Sequence, residues 1–192
     1  MNTLVEDKVY AHTDFRASPL AQAEYDHCSF NDCDFSGTDL SGRRFIDCAF
    51  TECNLSLVKL SKTALRDVAF NGCKMLGLRF DTCHPFGVAF RFENCILNDS
   101  VFVELALKGT LFAGTELTDV DFTGCDLTEA VFSECNLMGA TFAHTVLEKA
   151  DLRTAHHYTI DPELNRIKKA RFSLPEVVGL LRKYDIDISL PD

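Results

Sequence analysis

The sequence has no run of apolar residues approaching the roughly 18–20 needed to cross a bilayer as a helix. Its first residues, Met1 to Lys8, lack the basic stretch followed by an apolar one that marks a secretory signal. The expected compartment is therefore the cytoplasm, with no membrane partner. Basic residues are also scarce: 19 Lys and Arg stand against 29 Asp and Glu, a formal net charge of −10. Binding phosphate backbones needs Lys and Arg, so direct contact with nucleic acid or anionic lipid is disfavoured. Partners with basic surfaces are favoured instead. Between residues 94 and 147 the only base is Lys108. No nucleotide-binding glycine loop, nucleophile elbow or H-E-x-x-H metal motif occurs. No catalytic residue, cofactor or metal site is expected.

The period of neither an α-helix (3.6) nor a strand (2) organises the apolar residues. They recur every five. From Tyr10 the series runs Phe15, Leu20, Tyr25, Phe30, Phe35, Leu40, Phe45, Phe50, Leu55, Leu60, Leu65, Phe70, Met75 and Phe80. It resumes two residues out of phase at Phe92 and continues as Leu97, Phe102, Leu107, Phe112, Leu117, Phe122, Leu127, Phe132, Leu137, Phe142, Leu147 and Leu152. A five-residue repeat means that the chain turns a corner after each short unit. Two residues before most large centres stands a small one, such as Cys28, Thr38, Cys53, Ser100, Thr115 or Ala130. Two positions in five thus point inward and three outward.

This is the pattern of pentapeptide-repeat proteins, and the resemblance covers about residues 10–152. It implies an all-β solenoid: a right-handed quadrilateral β-helix with four pentapeptides, or 20 residues, per coil. From Phe92 onward Phe and Leu centres alternate. Twenty-residue stacking then places Phe92, Phe112 and Phe132 in one column and Phe102, Phe122 and Phe142 in the opposite one. About 28 units make about seven coils, a rod of about 34 Å at roughly 4.8 Å per stacked strand. Residues 1–9 are a lead-in, 10–152 the repeat, and 153–192 a C-terminal cap.

Nine cysteines, an odd number, argue against a closed disulfide framework. The Cys28–Cys33 and Cys48–Cys53 spacings could suggest a metal centre. The stronger reading is that the cysteines occupy the small inward position as buried apolar side chains. The register break, Asp81 to Arg91, places His84, Pro85, Phe86 and Gly87 where a coil should be. It is either a tolerated insertion or a loop that touches a partner. The acids of 94–147 are Asp99, Glu104, Glu116, Asp119, Asp121, Asp126, Glu129 and Glu134, all on outward positions. They are a solubilising surface or an anionic stripe offered to a basic protein.

In the tail, Ser173-Leu174-Pro175-Glu176 reads as a capping box opening an α-helix. Leu174, Val177, Val178 and Leu181 form its apolar stripe. Ile186 to Leu190 alternates like a strand. Phe172, Leu180, Ile186 and Ile188 leave apolar surface to spare, so the cap is expected to join two copies into a homodimer.

Asn94 to Ser100, Cys73 to Gly77, Ile160-Asp161-Pro162-Glu163 and Ile167 to Glu176 resemble the topoisomerase-protecting pentapeptide proteins. These are the quinolone-resistance (Qnr) type and the immunity proteins for albicidin and microcin. That resemblance implies a dimeric DNA-mimicking rod, joined through C-terminal helices, that binds DNA gyrase or topoisomerase IV and protects it from poisons. The long projecting loops of the larger Qnr proteins are missing here; only the break at 81–91 interrupts the wall. The alternative is a generic pentapeptide scaffold for another basic protein.

Overall fold

A computed structural model describes residues 3–189. The chain winds as a parallel β-solenoid of about seven turns. Parallel strand pairs and single bridges link residues to their counterparts one coil on, and these pairings define four faces. The first face holds Val5, Tyr25, Phe45 and Leu65, from strands paired in parallel; bridges from Ala106 to Asp126, Val146 and Arg166 continue it. The second is a seven-stranded ladder carrying Tyr10, Phe30, Phe50, Phe70, Phe92, Phe112 and Phe132. The third and fourth are ladders of single bridges, for example Asp34 to Asn54 to Lys74, and Arg79 to Val101 to Asp121. Parallel bridges extend past residue 152, to Arg171.

The centres fill the interior. Phe30, Phe45, Phe92, Phe112, Phe122 and Phe132 are fully buried. Phe92, Phe112 and Phe132 stack at 5.3 and 5.0 Å between ring centroids, and Phe102, Phe122 and Phe142 at 5.3 and 5.4 Å. Across the interior the two columns meet edge to face, as in Phe112 and Phe122 at 5.9 Å and 80°. Both geometries suit the aromatic quadrupole, at about 0.5–1.5 kcal/mol per pair beyond area burial.

At most corners the residue two after the centre has positive φ. Asp32, Asp47, Glu52, Asp99 and Glu104 have φ of 48, 49, 54, 61 and 60°, and Gly37 and Gly124 have 68 and 70°. This left-handed region costs an ordinary L-residue roughly 1–2 kcal/mol and glycine nothing. The corner N–H offsets that cost by donating to the next coil, as Asp99 does to the Thr118 carbonyl at 3.0 Å.

All nine cysteines are free and buried. Their choice has a physical reason beyond size. The small inward side chain donates to a centre's carbonyl one coil back: Cys53 to Phe30 at 3.3 Å, Cys73 to Phe50 at 3.3 Å, Cys125 to Phe102 at 2.8 Å. Thr63 and Thr145 do the same to Leu40 and Phe122, both at 2.9 Å. Burial pushes the Cys125 and Cys135 thiols up to about 12, which suppresses the thiolate that a metal or electrophile needs.

The register break adds two residues to one coil. Phe70 still stacks on Phe92 at 5.3 Å and Phe80 on Phe102 at 4.5 Å, now 22 residues apart. The first coil register holds as far as His84, whose N–H donates to the Thr63 carbonyl. The wall rejoins at Ala89, which donates to Leu65. The first face therefore lacks a large centre at this level. Phe90, buried where Cys, Thr or Ala usually stands, supplies that volume and packs 5.3 Å from Phe80 and 5.6 Å from Phe92.

The tail departs from expectation. Instead of an α-helix there are two short 3-10 helices, Glu176–Leu180 and Arg182–Tyr184. Ser173 makes no side-chain cap; its hydroxyl donates to the Arg153 carbonyl. The Glu176 carboxylate accepts the His157 N–H at 2.8 Å rather than closing a capping box. Gly179 lies against the Tyr158 carbonyl, where a side chain would not fit, and its own carbonyl accepts the Ile160 N–H at 3.2 Å. Bonds to the last coil thus flatten the segment and override its local helical signals. Ile186 to Ser189 forms no strand, and Leu190 lies outside the described residues.

Candidate partner-binding surface

Twenty residues per coil decide how the acids are distributed. Glu116 precedes a centre of the third face, Asp121 one of the fourth and Asp126 one of the first, each in a bridge. Asp99, Glu104, Asp119, Glu129 and Glu134 are corners, with φ between 53 and 61°. Asp99 and Asp119 share one edge; the others occupy the remaining three. The expected stripe is therefore a belt: six acids within one coil necessarily encircle the rod.

The eight are not equivalent. Asp121 and Asp126 are half-buried and accept the N–H groups of Thr123 and Thr128, at 2.8 and 3.1 Å. They brace their own turns. Lys108 pairs with Asp126 at 3.2 Å. Lys149 lies 2.5 Å from Glu129 and holds that carboxyl below its usual range. Glu116 accepts from the Asn136 amide at 2.9 Å. Asp99, Glu104, Asp119 and Glu134 are exposed and have no basic partner within 4.0 Å among the described residues. Their main chain is clamped while their charge stays free.

The break projects His84, Pro85, Phe86 and Gly87 into solvent, with Phe86 73 % exposed. Gly87 has φ 73° and closes against the Arg66 side chain.

The tail residues fall into two groups. Phe172 and Leu180 pack against the core, with the Phe172 ring 5.8 Å from Tyr158, and Val177 and Val178 are half-buried. Leu174, Leu181, Ile186 and Ile188 are exposed. Pro175, Val178, Leu181, Ile186 and Ile188, with Arg182 at its edge, line an open, mostly apolar concavity of about 340 Å³. Lys183 ties this tail to the Ile160–Glu163 segment, 2.6 Å from Asp161 and 2.8 Å from Glu163.

Sequence reasoning missed one cluster. Asp26, His27 and Asp47 bring a ligand atom each within 4.8 Å of one another at an exposed edge. Stacking puts Asp47 one coil from His27, a signal legible once corners are assigned. His27 bonds Asp26 at 2.8 Å, which raises its pKa.

The family model described as a pentapeptide repeat region matches residues 23–91 and 88–152. The chain belongs to the pentapeptide-repeat family. Among solved structures, a trypsin-treated form of QnrB1, a plasmid-mediated fluoroquinolone resistance protein, is similar over 99 % of this chain and all of that one, with TM-score 0.56 and 17 % identity. Full-length QnrB1 is similar over 95 % of this chain and all of its own, at TM-score 0.52 and 16 % identity. HetL, a pentapeptide-repeat protein involved in heterocyst differentiation regulation in the cyanobacterium Nostoc, is similar over 90 % of this chain and 87 % of its own, at TM-score 0.53 and 15 % identity. These likenesses establish a shared fold. No curated protein matches the sequence. Among the described residues no helix is long and apolar enough to cross a membrane.

Proposed function

We propose that this pentapeptide-repeat protein is a binding rod rather than an enzyme, and that it docks in the cytoplasm on DNA gyrase or topoisomerase IV and protects it from poisons. The observation that carries the reading is the set of unpaired corner carboxylates Asp99, Glu104, Asp119 and Glu134, held on a clamped backbone in a segment with one base. Fixed, unneutralised carboxylates on a rigid rod are what a DNA-binding groove rich in Lys and Arg would grip. The rod's charge is far sparser than that of B-DNA, with one charge per roughly 1.7 Å, so mimicry rests on shape plus this local belt. The exposed Leu174, Leu181, Ile186 and Ile188 suit pairing with a second copy, since a solvent-facing apolar patch of this kind marks an interface.

The test is a gyrase supercoiling reaction inhibited by ciprofloxacin or by albicidin. Added protein should restore supercoiling; no rescue and no inhibition at micromolar protein would remove the reading. A second reading, a scaffold for another basic protein, draws on the equal likeness to HetL. Affinity capture that returns one basic protein and no topoisomerase would favour it.

A further inference from the structure

The break opens a basic hollow in a chain whose net charge is −10. One concavity, about 560 Å³, contains Arg16 and Arg43, but both are committed. Arg16 bonds Asp14 at 2.9 Å, and Arg43 bonds the main-chain oxygens of Leu20, Ala21 and Asp39. Another, about 410 Å³, is lined by Gly42, Arg44, Lys62, Ala64, Arg66 and His84, with no carboxylate among them.

Its construction follows from the coil. Arg44 and Ala64 are stacked partners on the outside of the first face, and Ile46 and Arg66 are stacked beside them. The next coil contributes only His84 here, stacked over Ala64, because the chain then leaves the wall and returns at Ala89. Gly42 and Ala64 add little bulk, so a hollow remains between Arg44, the corner residue Lys62, Arg66 and His84. Arg44 turns to Glu24 at 3.1 Å. Lys62 and Arg66 have no carboxylate within 4.0 Å among the described residues, and the Arg66 Nε is buried without an acceptor. Gly87 packs on that guanidinium; a Cβ there would sit 3.2 Å from Nε. Gly87 therefore covers Nε, and Arg66 with Lys62 lines the hollow as a charge without an ion pair among the described residues.

We propose that this hollow binds a phosphate monoester. The guanidinium fork matches phosphate oxygens. Lys62 and Arg66 together balance a phosphate monoester, which carries about −1.5 to −2 at neutral pH. The volume exceeds what a phosphate alone would fill. Phe86, exposed and 5.7 Å from the His84 ring, offers a face on which a planar organic group stacks. The acidic remainder of the rod repels long polyanions, which selects a small ligand over nucleic acid.

The test is calorimetric titration at constant ionic strength with AMP, ribose 5-phosphate, inorganic phosphate and adenosine. AMP and ribose 5-phosphate bind saturably, adenosine does not, and Lys62→Glu weakens both phosphates about tenfold or more. That variant preserves the fold, because Glu52 and Glu104 occupy equivalent corners at φ 54 and 60°, beside 57° for Lys62. Arg66→Gln gives a second variant with the same expected loss. Phe86→Ala weakens AMP and leaves ribose 5-phosphate unchanged. No saturable binding of any phosphate below about 10 mM, or equal affinity in wild type and Lys62→Glu, overturns the proposal. Neither outcome touches the topoisomerase reading, which rests on carboxylates of later coils.

Discussion

The coils before the break and those after it solve the same packing problem with different residues. Before it, aromatic centres occupy all four faces: Tyr25 and Phe45 on the first, Tyr10, Phe30, Phe50 and Phe70 on the second, Phe15 and Phe35 on the third, and Phe80 alone on the fourth. After it they occupy two opposite faces, with Leu97, Leu117, Leu107 and Leu127 filling the others. Only the second-face stack runs uninterrupted, from Tyr10 to Phe132. The surfaces diverge too. Early acids such as Asp14, Glu24, Asp34 and Asp81 meet arginines, whereas most of the later belt meets none. The interior thus requires volume and ring contact, not a fixed residue on each face. The outer positions are free to carry function. Asp7, Glu52 and Asp67 are exposed corner acids without an ion pair among the described residues of the earlier coils. Asp99, Glu104, Asp119 and Glu134 are their counterparts in a later segment that holds one base.

If the two cores are equivalent, truncating either should cost alike. Phe50→Ala and Phe122→Ala should each lower unfolding free energy by about 3–5 kcal/mol in urea titration; a difference above about 2 kcal/mol would break the equivalence. Corner glycines sharpen it. Gly37→Ala, where a Cβ meets nothing, should cost about 1–2 kcal/mol for its backbone alone. Gly139→Ala should cost more, because its Cβ would displace the Asp119 carboxylate. Thr145→Val, which removes the hydroxyl donation to Phe122, should cost about 1 kcal/mol.

The smallest effect is in pH dependence, and its sign differs between the halves. His27, raised by its hydrogen bond to Asp26, adds stability that is full below its unfolded pKa near 6.5. That contribution is lost as pH rises through the higher folded value. Asp151, lowered by its hydrogen bond from Arg153, adds stability that is present above its unfolded pKa near 3.9. That contribution is lost as pH falls through the lower folded value. His27→Gln should flatten the neutral-pH slope of thermal unfolding, and Asp151→Asn the acid slope.

Much of this was legible in five-residue spacing. The period names the buried Phe and Leu columns, places the cysteines inside, and locates the two-residue insertion that Phe70, Phe92, Phe80 and Phe102 confirm. Three features were not. That the acids encircle the rod follows only once centre-plus-two is recognised as the corner, which makes Asp99 and Asp119 αL residues on one edge. The tail signals at Ser173 and Glu176 are genuine locally, but both side chains are taken by Arg153 and His157, which no local pattern reveals. The basic hollow arises from Arg44, Lys62, Arg66 and His84 meeting across coils, and the break that opens it gives no hint of charge.

The central claim is that the free corner carboxylates are the contact surface. The most direct measurement is equilibrium binding of gyrase to wild type and to Asp99→Asn/Glu104→Gln/Asp119→Asn/Glu134→Gln, at two salt concentrations, with urea unfolding as a control on the fold. The account predicts unchanged unfolding, affinity weakened about tenfold or more in the variant, and a shallower salt dependence. Equal affinity and equal salt dependence in a variant that unfolds like wild type would contradict it.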